Sequence, residues 1–327
     1  MNTTLQNSVV LVTGGAGFIG SNLCEKFLSQ NNQVICLDNF LTGKRENIAD
    51  FLTHPNFKLI EGDIRQLETC LAATEGVEVV LHQAALGSVP RSIENPILTN
   101  DINISGMLNM LWAAKENKVR RFVYAASSST YGDSEKLPKV EENIGKPLSP
   151  YAITKYVNEL YAQNFAALYG LEVVGLRYFN VFGRRQDPAG AYAAVIPKFI
   201  MLLMQKKQPT INGKGDYSRD FTYIDNVLQI NELAAQTQNP QALNTVYNVA
   251  CGGRTSLLEM YQILRHYLAQ YDSQIATLDP IFAPYRKGDI PHSQASIEKA
   301  VQYLGYRPTH NFEAGVRAAI DWYWHHL

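Results

Sequence analysis

Val9-Val10-Leu11-Val12-Thr13-Gly14-Gly15-Ala16-Gly17-Phe18-Ile19-Gly20 decides how this chain folds. Four apolar, mostly β-branched residues in a row predict a short strand buried on both faces, as in a parallel sheet. The glycines follow at once, and an amphipathic helix then turns Leu23, Phe27 and Leu28 inward. Two spacings fit, G-x-G-x-x-G on Gly15, Gly17 and Gly20 and G-x-x-G-x-x-G on Gly14, Gly17 and Gly20. Both meet the same need: a tight turn, a backbone that can approach a pyrophosphate, and close helix–strand packing. A bare tight turn is the plain alternative. The strand before and the helix after favour the nucleotide-binding reading.

Further strand signals follow in rhythm. Gln33-Val34-Ile35-Cys36-Leu37 ends at Asp38, 18 residues past Gly20, where an acceptor for a ribose 2′-hydroxyl belongs. A carboxylate there repels a 2′-phosphate and favours NAD over NADP, although Lys44 and Arg45 lie close by. Asp38 also reads as a simple cap. Residues 57–64 form a third strand with Asp63 as a candidate adenine contact, and residues 77–85 a fourth carrying His82 and Gln83. His82 reads as an interior structural histidine. Asn95-Pro96 opens a helix to about Asn117, Arg121 to Ala126 is a fifth strand, and Ser127-Ser128-Ser129 sits at its carboxyl end. A helix from Tyr151 to about Tyr169 and the strand Glu172 to Arg177 complete the alternation. The pattern predicts an α/β fold, a Rossmann-type doubly wound parallel sheet, followed by a smaller C-terminal α/β substrate domain.

Ser149-Pro150-Tyr151-Ala152-Ile153-Thr154-Lys155 carries the chemistry. Ser149 is an N-cap candidate and Pro150 suits the first helical position. Tyr151 and Lys155 then share one face of the helix. A phenol ionises near pH 10, and a nearby ammonium together with the positive end of the helix favours the phenolate. Tyr151 is thus a candidate base, with a serine hydroxyl as relay. By itself Tyr-x-x-x-Lys occurs on many helices; the strand pattern around it supplies the context.

Composition excludes several classes. The 327 residues, 46% hydrophobic and 18% charged with net charge −1, describe a soluble globular protein with no field for nucleic acid or an anionic membrane. No run spans a bilayer and no secretory signal pattern opens the chain, so a cytoplasmic protein is expected. Cys24, Cys36, Cys70 and Cys251 lack metal-like or redox-like spacing, and His325-His326 has no adjoining ligand, so no metal is expected. After residue 180 the rhythm breaks. A polar loop (184–187), a helical stretch from Ala191 to Met204, a hairpin signal at Thr210 to Asp216 and a strand Thr245 to Val249, a candidate for return to the sheet, follow. Arg219 and Arg286 suit a pair of arginines closing on a diphosphate, although on local evidence surface salt bridges are the plainer reading. The division expected is a nucleotide-binding domain over 1–180, with a return near 220–250, and a mainly substrate-binding domain over 181–327.

Thr13 to Gly20, His82-Gln83-Ala84-Ala85, Ser127 to Gly132, Tyr151-x-x-x-Lys155, Arg177 to Gly183 and Arg286-x-Gly288-Asp289 together resemble the extended short-chain dehydrogenase/reductase superfamily. Residues 82–92, 183–188 and 190–197 are similar to bacterial UDP-N-acetylhexosamine 4-epimerases, acting on UDP-N-acetylglucosamine or its uronic acid, of O-antigen and capsule pathways. The resemblance implies bound NAD and removal of the sugar 4-hydroxyl proton by Tyr151, aided by Ser127 and Lys155. It implies hydride transfer to and from the nicotinamide through a 4-keto sugar. Gly14, Gly17, Phe18, Ile19, Gly20, Asp38, Asn39, Gly43, Asp63, Ile64, Gln83, Ala84, Asn103, Lys155 and Tyr178 would surround NAD. Ser88, Ser127, Ser128, Tyr151, Asn180, Ala194, Val195, Lys198, Ile211, Asn212, Arg219, Arg286, Asp289 and Ser293 would meet the UDP-sugar. Ser293 stands where non-acetylated-hexose enzymes often carry a tyrosine, which leaves room for an acetamido group. Arg91, Arg185 and Lys198 are candidates for a C6 carboxylate. The resemblance also implies a homodimer through the helices at 95–117 and 151–169, with Ile97, Ile104, Leu108 and Leu111 offered for the contact.

Three rivals remain. A UDP-glucose 4-epimerase differs only in sugar. Dehydratases and uronic-acid decarboxylases keep a carboxylate after the Ser127 position, where this chain has Ser128-Ser129-Thr130. A non-catalytic NAD-binding regulator usually loses the tyrosine or lysine, and both are present.

Overall fold

The computed structural model describes residues 5–188, 194–285 and 290–327. Its centre is a seven-stranded sheet, parallel throughout. The strands are β1 (Val9–Thr13), β2 (Gln33–Asp38), β3 (Phe57–Glu61), β4 (Val79–His82), β5 (Arg121–Ser127), β6 (Glu172–Tyr178) and β7 (Thr245–Val249). Their spatial order is β7-β6-β5-β4-β1-β2-β3. Alternate residues of β1 enter opposite cores: Val10 and Val12 pack with Leu23 and Phe27 on one side, Leu11 with Val80 and Phe122 on the other. This two-sided burial is what the unbroken apolar run requires. The seventh strand does return to the sheet, pairing with β6 from Thr245 against Val174 to Val249 against Tyr178.

Sequence order reverses between β1 and β4, and a doubly wound sheet opens its crevice outside the carboxyl ends there. The register lines up Thr13 with His82 and Ser127 with Tyr178. All four therefore face one rim.

Several boundaries differ from the sequence expectations. The third strand stops at Glu61, leaving Asp63 in the following loop, and β4 is only Val79–His82. The helix begun at Pro96 is not regular: a π-turn at Asp101–Ser105 interrupts it before Gly106–Glu116. The extra residue turns Asn103 inward. Thr210–Asn212 forms no hairpin with its neighbours and pairs in parallel with Ile281–Ala283. Glycines mark a turn but do not say where the partner strand lies. The seventh helix runs from Val195 to Met204; Ala191 to Ala193 lie outside the described residues. Leu111, offered for a dimer face, is fully buried in the core, whereas Ile97 is 82% exposed. No described helix is long and apolar enough to cross a membrane.

Candidate active site

A cavity of about 550 Å³ occupies the predicted rim, within the range typical of small-ligand sites. Its floor is the turn after β1. Gly14, Gly17, Phe18, Ile19 and Gly20 line it. Gly15 does not; a Cβ there would fall 2.5 Å from the Cys36 sulfur. The working triplet is thus Gly14, Gly17 and Gly20. A Cβ on Gly14 (φ +65°) would meet the Ala84 backbone nitrogen at 2.8 Å, and one on Gly20 would lie 2.0 Å from the Gly14 carbonyl oxygen. Gly17 precedes helix α1 (Phe18–Ser29) with no side-chain cap and no acid in the first turn. The first amides of α1 are therefore available to an anion, as a pyrophosphate needs.

Asp38 and Asn39, at the end of β2, and Asp63 and Ile64, after β3, form the next wall. The Asp38 carboxylate accepts from the Ala16 and Phe40 amides at 2.9 and 2.8 Å. Burial raises it above the ordinary carboxylate value against those bonds. Asn39 and Arg65 both donate to Asp63, which holds it down to about 2, the Arg65 hydrogen bond being the largest cause. Gly43 does not line the cavity; a Cβ there would fall 2.8 Å from both Asp38 carboxylate oxygens. Lys44 pairs with Asp187 and Arg45 with Glu61, so both nearby cations are engaged. These residues suit an adenosine with a free 2′-hydroxyl, and the glycine cradle suits the diphosphate of NAD.

Gln83, Ala84 and Ser88 come from the loop after β4, Ser127 from β5, and Tyr178 and Asn180 from β6 and its continuation; all line the cavity. The Tyr178 hydroxyl donates to Gln83 Oε1 at 3.2 Å and accepts from Asn231 Nδ2 at 2.9 Å. His82 sits just beneath, buried, with Nδ1 2.8 Å from the Thr13 hydroxyl. Burial, then the charge of Lys155, pushes it down to about 3, so it is a neutral structural residue. Asn103 stands behind the wall. Its amide is consumed by the Leu86 backbone and the Thr154 hydroxyl, joining the β4 loop to the next helix.

That helix is Pro150–Tyr169, capped by the Ser149 hydroxyl on the Ala152 amide with Pro150 at its first position. It brings Tyr151 and Lys155 to the cavity beside Ser127. The Ser127 hydroxyl lowers the Tyr151 phenol and accepts from the Ser129 amide and hydroxyl at 3.1 and 2.9 Å. Lys155 Nζ donates to the Ala125 carbonyl at 2.8 Å and lies 5.9 Å from the Tyr151 ring centre. Burial pushes Lys155 down to about 8, with Glu159 opposing. Burial raises the Tyr151 phenol, and the Ser127 hydroxyl opposes it. A desolvated ammonium still prefers a phenolate neighbour, but the low-dielectric wall outweighs it here.

Among the expected substrate residues, Ala194 lines the cavity; Ser128, Val195, Lys198, Ile211, Asn212, Arg219 and Ser293 do not. Arg219 donates to the Ser218 and Pro291 carbonyls, and the Ser293 amide donates to the same Ser218 carbonyl. These two therefore share one corner. Ile211 is buried in the core. Arg286 and Asp289 lie outside the described residues. The sequence did not single out Asn231, buried on the helix Ile224–Gln236, or Asn47, and it marked Gln186 and Asp187 as a polar loop with no role at the site, whereas all but Asn231 line the cavity. Among the described residues no group of His, Cys, Asp and Glu could hold a metal.

The sequence profile of the NAD dependent epimerase/dehydratase family matches residues 10–250. A UDP-N-acetylglucosamine 4-epimerase from Methanobrevibacter ruminantium, solved with UDP-N-acetylmuramic acid, is 35% identical. It superposes with a TM-score of 0.91, covering 99% of this chain and 100% of that one. A UDP-glucose 4-epimerase from Thermotoga maritima, solved with UDP-glucose, is 34% identical with a TM-score of 0.87 over 96% and 98% of the two chains. A UDP-glucuronic acid 4-epimerase from Bacillus cereus, solved with its substrate and NAD, is 30% identical with a TM-score of 0.86 over 96% and 98%.

Proposed function

This chain belongs to the NAD dependent epimerase/dehydratase family, and we propose that it is a 4-epimerase of UDP-N-acetylhexosamines. It would interconvert the gluco and galacto forms for surface polysaccharide synthesis. One observation carries the reaction class. Tyr151, Ser127 and a buried Lys155 meet on one glycine-walled cavity, and the three residues after Ser127 bear no carboxylate. Proton transfer at a hydroxyl is provided for; elimination or decarboxylation chemistry lacks the acidic partner it needs.

NAD, when bound on the glycine turn, supplies the acceptor and donor of one hydride. Tyr151 takes the proton of the sugar hydroxyl and returns it after the sugar has turned. Ser127 relays that proton between the two oxygens. Lys155, pinned by the Ala125 carbonyl, stabilises the phenolate. Tyr178 and Gln83, the former fixed by Asn231, would hold the cofactor, and Asn180, on the same cavity, would meet the diphosphate.

The acetylated sugar is supported by small residues. Ser88 and Ala194 line the cavity, Ser293 stands near the Arg219 corner, and a UDP-N-acetylglucosamine 4-epimerase superposes over nearly the whole chain. The uronic acids form a second reading because Arg91 lines the cavity. Product analysis with UDP-N-acetylglucosamine, its uronic acid and UDP-glucose, without added NAD, tests this. We expect 4-epimer from an acetylated sugar and much less from glucose; turnover of glucose alone contradicts the acetamido assignment.

A homodimer is part of the proposal. Ile93 and Ile97 are exposed, as are Ile153 and Leu160 of the Pro150–Tyr169 helix, and the short helices Val89–Glu94 and Pro96–Asn100 pack against that helix. A second copy of this face is the occupant that would cover these side chains.

A further inference from the structure

The polar segment after Phe182 folds back over the nucleotide-binding half. Asn22 of α1 donates to the Arg184 carbonyl at 3.1 Å. Arg184 reaches Glu25 of α1 at 2.9 Å and Asp225 at 3.2 Å. Arg185 donates to both Glu25 oxygens, at 3.0 and 3.2 Å, and its guanidinium lies 5.4 Å from the Phe51 ring centre. Asp187 pairs with Lys44 at 3.1 Å. The segment is thus tied to α1, to the turn at 45–51 and to the loop after β2.

The same segment walls the cavity. Arg185, Gln186, Asp187 and Lys44 line it together with Gly17 and Asp38. Glu25 does not line it. Burial would raise the Glu25 carboxyl, yet the hydrogen bonds and charges of Arg185 and Arg184 more than offset that and hold it below its ordinary value.

We propose that residues 184–187 form a strap that keeps NAD resident, and that Glu25 is the positioning residue anchoring it. The proposal rests on the 4-epimerase reading. A reaction with no net redox change must reuse one NAD while sugars come and go, so cofactor escape between turnovers would idle the enzyme. Contacts made by a separate segment of chain can slow that escape without obstructing sugar entry. Glu25 carries the strap because it accepts three charge-assisted bonds. The Lys44–Asp187 pair is exposed, and such pairs hold weakly.

The test uses the holoprotein and its Glu25→Gln and Glu25→Ala variants. NAD content is measured after exhaustive gel filtration, and NAD exchange is followed with isotope-labelled NAD. We expect exchange faster by about tenfold or more, sub-stoichiometric NAD after filtration, and activity rescued by added NAD. Wild-type exchange rates in folded variants overturn the strap. If both variants misfold, Arg184→Gln, which removes one of the three bonds to Glu25 without touching the cavity lining, carries the same measurement with the same two outcomes. A wild-type chain that neither holds NAD nor epimerises a sugar overturns the epimerase reading instead. A loaded, active wild type with equally loaded variants overturns the strap alone.

Discussion

At Tyr151 two effects of opposite sign meet: burial raises the phenol and the Ser127 hydroxyl lowers it. Tyr151→Phe keeps the ring in the wall and removes the base. Turnover should fall by about 10²–10⁴-fold with the melting temperature nearly unchanged; a variant at wild-type rate contradicts the assignment. Lys155 is costly to the fold. Its folded value is about 8, against about 10.4 in an unfolded chain. Between those values the folded state binds fewer protons, so stability rises with pH across that window and is lost as pH falls through about 8. Lys155→Met should therefore stabilise the protein at pH 7 by on the order of 1–3 kcal/mol and flatten the rise above pH 8, while lowering activity. A drop in melting temperature at pH 7 contradicts this. Asp38, Ser127 and Tyr151 were legible because each sits where a local signal ends, at a strand terminus or a helix cap. Asn231 was not. It lies among Val227, Ile230 and Leu233 on an amphipathic helix, where asparagine reads as the wet face, and only packing against the sheet buries it.

Among the elements, the turn after β1 is the least tolerant of change. A Cβ on Gly20 would lie 2.0 Å from the Gly14 carbonyl oxygen, whereas one on Gly253 meets nothing within 4 Å. Gly20→Ala should cost about 1–3 kcal/mol and lose NAD, and Gly253→Ala should do neither. Equal melts and NAD contents for the two would contradict the assigned cradle. The choice between the two glycine spacings was open in the sequence, since both give a strand–turn–helix; the contact between Gly15 and Cys36 on the neighbouring strand distinguishes them. Sequence periodicity located the Pro150–Tyr169 helix with its cap. It missed the π-turn at Asp101–Ser105, because one inserted residue barely alters a 3.6-residue period. It also mispaired Thr210–Asn212, whose parallel partner lies about 70 residues away.

For the whole molecule, the first 180 residues read clearly because each strand and helix is local and the order reversal sets the rim. The later part does not, because short strands paired across long distances leave little periodicity. At this scale the exposed Ile93, Ile97, Ile153 and Leu160 predict self-association. Ile97→Glu should shift sedimentation from dimer to monomer, and an unchanged profile removes that face from consideration. The central claim is that one resident NAD inverts the sugar at C4 with no net redox change. The most direct measurement incubates the purified chain, with no added NAD, with UDP-N-acetylglucosamine deuterated at C4 in ordinary water. The account predicts the 4-epimer with deuterium still at C4; loss of the label to solvent, or no epimer even when NAD is supplied, contradicts it.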